Sequence, residues 1–589
     1  MLKHIFNITA LALGGSMLLA SCAKKDFLDA RQTEALTEDI VFADSAQTLA
    51  FLNNAYAFTG QDIIPMRYTF IITPTGNDYA SLEDLTTHSV SFYSDPQATF
   101  IQAASTPKNY HSNRYYTTYY AKIRALNQYM KKVGGTPLSP AMQVKTTAEA
   151  RFLRAFYYAQ LVRYYGGVKM VGDTVYGITD DVKVIRNTFK DCIDYIATEC
   201  DKAAVDLPNA GEQQPSDYGH ITKGMCLALK ARMLVHAASP LYNGSPAVDE
   251  PGLTPLIAYS ASYDANLWKK AADACKAVMD LNQYSLYEDN TTRAGHGFWK
   301  VFLLRKNSEY IYPYMIAAGT ALESARFPVT RSTGGGYSTP TQNLVEAFGM
   351  ANGKPITDPS SGYDANNPYN RRDPRFYYSI IHNGATVFYN STKKMDPVDI
   401  YKNAATGVVT YDGLQSYRTR TGYYARKMAN DSIAPGTNQS RVYPIIRYAE
   451  ILLGYAEALN EFSGATQDVY DQVIAIRKRA GILPGTDNLY GLKNGMTKEE
   501  MRAVIRNERE VEFAYEGHWY YDTRRWKTAE VTENVPIRGM MVTRQTNGTY
   551  TYTSQTVINA VFSKPKMYFS PFSEDEVNKS STLIQNPGW

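Results

Sequence analysis

The stretch IIRYAEILLGYAEALNEF, residues 445–462, is followed closely by DVYDQVIAIRKRAG, residues 468–481. Gly454, Ala456 and Ala458 are small enough to let a partner helix come close, while Tyr455, Leu459 and Phe462 fall at i, i+4 and i+7 and set a hydrophobic side. The spacing predicts two helices joined by a short turn, over 445–462 and 467–480, with a third at 497–516. A body built by stacking such pairs is the natural way to bury their apolar faces.

Working outward, the same periodicity recurs. Asp44 and Ser45 predict the cap of a helix carrying Leu49, Leu52 and Tyr56. A helix from about 113 to 132 places Tyr116, Tyr120, Ile123 and Leu126 on one face and stops at Gly134-Gly135. KTTAEARFLRAFYYAQLVRYYGG predicts another, starting near Thr146 or Thr147, with Phe152, Phe156, Ala159 and Val162 as its buried stripe. Further helices are expected at 186–206, 220–238 and 266–281. The pairs resemble tetratricopeptide repeats, without a strict 34-residue period; a plain helical bundle is the alternative. From about 284 to 440 the character changes, and Gly, Pro, Asn, Tyr and Ser replace long periodic segments. So long an irregular region is functional or disordered, and its many aromatic residues argue against disorder.

At the other end, MLLASCAKKDFLDA (17–30) breaks off an apolar run in two small residues and a cysteine. Lys3 and the weakly polar segment to Ala20 form a short basic region and about fifteen mostly apolar residues, short for a membrane span and right for a secretory signal. Leu19-Ala20-Ser21-Cys22 resembles the lipobox of bacterial lipoproteins, in which the cysteine is acylated and becomes the new N-terminus. Each buried methylene of an acyl chain contributes about 0.8 kcal/mol, so several chains would hold the protein on a membrane without a spanning helix. An ordinary signal peptide with a chance cysteine is the alternative. No later apolar run reaches a spanning length.

Composition describes a packed protein, with 44% hydrophobic and 20% charged residues. A net charge of +4 over 589 residues, with both signs interspersed, gives little support to nucleic-acid binding. Cys192, Cys200, Cys226 and Cys275 show no zinc spacing. On a helix the first two would stand about 12 Å apart, too far for a disulfide, so all four are expected to be small buried residues. The 47 tyrosines are the unusual number. A tyrosine joins a flat apolar face to a polar rim, which suits half-exposed surfaces that meet amphipathic ligands.

Catalytic signatures are missing: there is no H-E-x-x-H, G-x-S-x-G, C-x-x-C or Walker loop. No cofactor or metal is expected. A glycosidase carboxylate pair leaves no local signature and stays open as a rival. The charged run IRNEREVEFAYEGHWYYDTRRW (505–526) reads as a structural ion-pair and hydrogen-bond network in which Glu508 and Glu512 share a helix face, as do Arg509 and Glu512 at i, i+3. Arg524 and Arg525 follow the Glu516-Gly517 break, and Trp519 and Trp526 pack below.

Taken together, AEARFLRAFYYAQLVRYYGGV, RYAEILLGYAEALNE, IRKRAGI, RNEREVEFAYEGHWYYDTRRW and FSPFSEDEVNKSSTLIQNPGW resemble the SusD/RagB family of outer-membrane nutrient-binding lipoproteins. The matching residues are Arg151, Arg154, Gly166 and Gly167; Arg447, Glu450, Ala456 and Glu457; Arg509, Glu512, Glu516, Gly517, Asp522 and Arg525; and Asn586, Pro587 and Gly588. Trp519 stands where the family has an arginine and Thr523 where it has a leucine, differences that bear on local packing.

The resemblance implies a mainly α fold: a tetratricopeptide-like helix-pair scaffold with a large irregular, loop-rich ligand-binding region. The expected organisation is a lipoprotein signal peptide over 1–21 and one body over 22–589. Within that body the scaffold covers about 36–283 and 441–526, the loop-rich insertion about 284–440, and a C-terminal segment 527–589. It further implies a lipid-anchored protein on the outer face of the outer membrane that binds glycans, or peptides in the RagB branch. The protein would pass its ligand to a SusC-like TonB-dependent barrel without chemistry. By analogy, the ligand platform draws on the loop TPTGNDYASLEDLTTHSVSFY, with Asn77, Asp78, Tyr79, Phe92 and Tyr93, and on the insertion from about 290. GHGFWKVF supplies His296, Phe298 and Trp299 there, and VTRSTGGGYS supplies Arg331 and Tyr337. Trp299 and Tyr337 are the foremost candidates, as large aromatics beside loop glycines; a packing or turn role is the alternative for each. Gly334 to Gly336 would let backbone approach a ligand, or make a turn. Beside the glycan and peptide readings stand a lipid-anchored glycosidase or protease and a partner-binding helical repeat with no small ligand.

Overall fold

The computed structural model describes residues 37–60, 81–91, 94–177, 179–331, 335–415, 418–434 and 436–589. Cys22, Asn77, Asp78, Tyr79, Phe92 and Tyr93 lie outside the described residues.

Helix α1 (Ser45–Tyr56) opens as expected, with the Asp44 carboxylate accepting Gln47 N–H at 2.8 Å. Helix α2 (Asn113–Lys132) matches its sequence bounds. Helix α3 (Pro140–Tyr165) starts earlier than Thr146, because Ser139 caps it through Met142 N (3.3 Å) and Pro140 suits the first turn. Its burial also exceeds one stripe: Tyr157, Tyr158 and Leu161 are as buried as Phe152 and Phe156, so α3 is a central helix covered on nearly all sides. Then come α4 (Phe189–Val205), α5 (Lys223–Ala238), α6 (Ala265–Met279) and the short α7 (His296–Lys300). After the loop-rich region lie α8 (Tyr448–Ser463), α9 (Gln467–Arg479), α10 (Lys498–Glu512), α11 (His518–Arg525) and α12 (Glu574–Lys579). Helices α2 to α6 pack each on the next, α6 packs on α8, and α8 on α9 and α10. The result is a helical fold of tetratricopeptide-like pairs. The four cysteines are free and buried among these helices.

Close approach at Gly454 is real, since a Cβ there would sit 3.3 Å from Cys275 Sγ. The buried face of α8 differs from the expected one. Ile451, Leu452, Leu453 and Ala456 are buried, while Phe462 is 40% exposed at the end of the helix. The helix also begins later than 445, because Ile445, Ile446 and Arg447 belong to a strand; an apolar run of that length looks alike in either state. Helix α10 ends at Glu512, short of 516, where Tyr515 and Gly517 take left-handed φ of 62° and 74° and turn the chain into α11.

Apart from the last two, the strands are short: β1 (Ser89–Ser91), β2 (Tyr310–Met315), β3 (Ser338–Pro340), β4 (Thr386–Tyr389), β5 (Lys394–Pro397), β6 (Val442–Arg447), β7 (Pro536–Arg544) and β8 (Tyr550–Asn559). Antiparallel pairs form between β1 and β3, β2 and β6, β4 and β5, and β7 and β8. The β7–β8 hairpin within 527–589 was not visible as a strand pattern in the helical reading.

Scaffold and loop-rich region are joined by buried ion pairs. Glu512, fully buried, accepts Arg447 Nη1 at 2.7 Å, Arg375 Nη1 at 3.0 Å and Arg479. Glu309 accepts Arg447 and Arg479 at 2.7 and 2.6 Å, and Glu516 accepts Arg447 Nε and Lys427 Nζ at 2.7 and 2.6 Å. Burial alone would raise the Glu512 carboxyl, yet Arg479, Arg447 and Arg375 beside it hold it down at about 2. Glu508 meets Arg375 and Arg477. Arg509 pairs with Asp522 of α11 at 2.8 Å. Arg525 and Trp526 Nε1 both donate to Glu457 at 2.6 Å. Trp519 stacks on His88, ring centres 4.5 Å apart, so the departure at this position is indeed one of local packing.

Candidate binding surface

The expected site residues separate into buried and half-exposed groups. Helix α7 starts at Gly295 in a left-handed conformation (φ 71°). A Cβ on Gly297 would meet Tyr287 O at 2.5 Å. These glycines therefore serve close backbone packing, which turns the adjacent aromatics inward. Phe298 is 0% exposed, with Lys427 Nζ 4.9 Å from its ring centre. Trp299 is 8% exposed, donates Nε1 to Ala429 O at 3.2 Å and stacks near Tyr378. Both belong to a hydrophobic cluster with Phe302, Phe327 and Tyr424. The foremost sequence candidate, Trp299, is thus a core residue of the loop-rich region. His296 is half-buried and bonded through Nδ1 to Asp289 Oδ2 at 2.7 Å. The Asp289 carboxyl is held well below its usual range, first by the Thr292 backbone N–H and then by His296.

Arg331 is buried as well. It donates to Pro397 O at 2.7 Å and Thr330 Oγ1 at 2.9 Å, and its guanidinium lies 4.1 Å from the ring centre of Tyr389. It ties the Val329–Arg331 turn to the β4–β5 hairpin. Gly335 and Gly336 carry φ of 93° and 69°. Cβ atoms there would strike Val329 Cγ2 at 2.7 Å and Arg418 O at 2.9 Å, so they make a turn packed against protein. Tyr337, next in the chain, is half-buried, with its N–H donating to Ala325 O at 3.1 Å. The β1–β3 pair sets Ser91 opposite Ser338. This brings the stem of the first expected loop beside Tyr337.

Around that turn the structure assembles residues the sequence reading missed. Thr330 N donates to Asp412 Oδ1 at 3.0 Å, and Tyr424 OH donates to Asp412 O at 2.9 Å. Burial raises the Asp412 carboxyl against the pull of the Thr330 bonds. Asp412 thereby fixes Tyr411, which is 59% exposed with the Arg418 guanidinium 4.3 Å from its ring centre. Tyr389 over the buried Arg331 guanidinium and Tyr411 over Arg418 border this turn, with Tyr337 packed beside it against the Phe298–Trp299 cluster, and together they make up a tyrosine–arginine surface on which Tyr411 is the most exposed ring. Arg331 and Tyr337 were candidates from the sequence, whereas for Tyr389 and Tyr411 the signal was the tyrosine excess in glycine- and asparagine-rich loops, and nothing singled out Arg418. Chemically the surface offers flat apolar faces with hydroxyl rims beside guanidinium groups, suited to a ligand that alternates apolar faces with polar groups.

Acid–base chemistry finds less support here. Burial raises the Asp84 carboxyl to about 6 against bonds from Ser89, Ser338 and Ser81. It is wholly buried, sealed beneath the β1–β3 pair by Ser89 (2.6 Å) and Ser338 (2.7 Å). Among the described residues, no group of three or more His, Cys, Asp or Glu is placed to hold a metal ion. A separate groove of about 1210 Å³ lies between the loops at 349–360 and 485–496 and the face of α10. Asn352, Lys354, Asp487 and Asn507 line it over an aliphatic floor of Ala503 and Val504, and no aromatic ring does.

The family comparisons fit this geometry. The model described as SusD family matches residues 277–589, and the model described as starch-binding associating with outer membrane matches residues 26–235. The chain belongs to the SusD family. SusD-like protein P38 of Formosa agariphila is 23% identical over 440 residues, 72% of this chain and 73% of its own length. SusD-like protein P2 of the same organism is 37% identical over 92 residues, 16% of this chain and 18% of its own. A SusD-like protein of Bacteroides fragilis superposes with a TM-score of 0.75 at 25% identity, covering 94% of this chain and 99% of that one. A structure described as a SusD-like carbohydrate-binding protein from the same species gives 0.72 at 23%, covering 92% and 100%. At that identity the second likeness concerns the SusD fold. No helix among the described residues is long and apolar enough to cross a membrane.

Proposed function

We propose that this protein is a cell-surface lipoprotein, held on the outer membrane by acyl chains on Cys22. It binds oligosaccharide or polysaccharide and delivers it to a SusC-like TonB-dependent barrel without altering it. The observation that carries the reading is the tyrosine–arginine surface on Tyr337, Tyr389 and Tyr411. Pyranose rings have an apolar C–H face that stacks on such rings, and their hydroxyls find partners in the tyrosine rims and guanidinium groups. The family descriptions, one of them starch-binding with outer-membrane association, support the same class. Asn77, Asp78, Tyr79, Phe92 and Tyr93 would complete the platform from the stem that β1 holds beside Tyr337, and half-buried His296 would border it. A receptor that must release its ligand works well near micromolar affinity, about −8 kcal/mol.

A second reading, capture of an extended peptide, is favoured by the groove beside α10, whose mixed polar and aliphatic lining suits a peptide better than a sugar ring. The test is affinity electrophoresis of the body starting after Cys22 in a panel of polysaccharides, alongside calorimetry with a peptide digest. Retardation by one polysaccharide class, lost in Tyr411→Ala with Tyr337→Ala, is the expected result. Binding of peptides alone, abolished by Asn507→Trp in the groove, would replace it with the second reading.

A further inference from the structure

A crevice of about 350 Å³ opens beside α2, built from residues that take no part in the tyrosine–arginine surface. Three segments distant in the chain make it: Tyr116, Tyr120 and Arg124 of α2, the α3–α4 connection around Lys169 and Tyr176, and Glu576 of α12. We infer that this crevice is a second binding site, for a single anionic sugar ring: a pyranose bearing a carboxylate or a sulfate.

Size sets the first limit, because the volume lies at the lower end of the range for small-molecule pockets and leaves space for one ring. The floor is aromatic and fixed. Tyr116 and Tyr120 meet edge to face with ring centres 4.9 Å apart, and Tyr120 OH donates to Lys169 O at 2.8 Å. The walls are tied as well, Arg124 Nε to Tyr176 O at 3.2 Å and Val184 N to Ser580 Oγ at 3.4 Å. A ring entering here meets tyrosine faces and valine side chains already in place, so little ordering is needed.

The charges decide the ligand's sign. Among the described residues, the Lys169 ammonium makes no hydrogen bond or ion pair, although it lines the crevice. Arg124 commits Nε and Nη1, the latter to Gln128 Oε1 at 3.2 Å, and leaves Nη2 for a ligand. Among the described lining residues, Glu576 is the one carboxylate, and it is offset by Lys579 at 3.0 Å. The mouth is therefore net cationic above an apolar floor. Thr117 and Thr174, both exposed at the rim, supply hydroxyls for the ring's own hydroxyl groups. An aromatic acid would use the rings and the cation but nothing of these hydroxyls.

Calorimetry and saturation-transfer NMR on the body starting after Cys22, with methyl β-D-glucuronide, methyl β-D-glucoside and benzoate as probes, test the site. The glucuronide should bind at least about tenfold tighter than the glucoside. Lys169→Gln should erase that preference, Tyr176→Ala should abolish binding, and Tyr411→Ala should leave the glucuronide untouched. The last variant keeps this proposal separable from the tyrosine–arginine surface. Equal affinity for the two glycosides, benzoate binding as tightly as the glucuronide, indifference to Lys169→Gln, or no binding of any probe would each overturn it.

Discussion

Arg447 and Arg331 are both buried arginines that hold parts of the loop-rich region in place, yet their surroundings differ. Arg447 is enclosed by the carboxylates of Glu309, Glu512 and Glu516. Arg331 is held by a threonine hydroxyl, a proline carbonyl and the face of Tyr389. In the first setting charge is matched inside the protein, and removing one partner strands the others away from water. In the second, rings and neutral oxygens hold the turn while Tyr411 stays largely exposed beside it. The difference separates a region that fixes the fold from one that can meet a ligand.

The contrast can be broken most sharply at Glu512. Glu512→Ala leaves Arg375, Arg447 and Arg479 short of a buried counter-charge and should cost about 3–5 kcal/mol in urea unfolding; a loss below about 1 kcal/mol would mean the network does not bolt the two regions together. Trp299→Ala comes next, with a cavity cost of about 3–5 kcal/mol, as for buried aromatics generally. Its polysaccharide affinity per folded molecule should match the parent; a stable Trp299→Ala protein that has lost binding would return this residue to the platform.

Acid should act chiefly on the buried carboxylates held by arginines. Glu512 is lowered from 4.5 to about 2, and Glu450 likewise, burial opposing and Arg232 leading the lowering for Glu450. A lowered carboxylate contributes stability that is fully present above its unfolded value and fades as pH falls toward the folded one. Unfolding midpoints should therefore drop between about pH 4.5 and 2, and Glu512→Gln should flatten that drop. The smallest effect on stability belongs to Tyr411→Ala, within about 0.5 kcal/mol of the parent. Polysaccharide affinity should nonetheless weaken about tenfold. A Tyr411→Ala protein that keeps full affinity would move the ligand elsewhere.

Helix positions were legible because period and cap act locally. Asp44 caps α1, and α2 spans the bounds its spacing set. The strand at Ile445–Arg447 was hidden because a short apolar run fits either state, and only its pairing with β2 decides. The candidate surface was less legible. Glycines beside Trp299 look the same whether they admit a ligand or a neighbouring backbone, and Tyr287 O occupies that space. Tyr389, Tyr411 and Arg418 are far from Arg331 in the chain and become its neighbours through Asp412 and the β4–β5 hairpin.

By itself, the sequence determined the helical scaffold, from period and caps within each segment, and the family, from several segments read together; of the charged network it showed the 505–526 run but not Glu309, Arg375, Lys427 or Arg479. Which arginine meets which carboxylate, and which tyrosines remain exposed, only the tertiary structure decided. Burial and partnership are properties of segments brought together from far apart, and no local spacing encodes them.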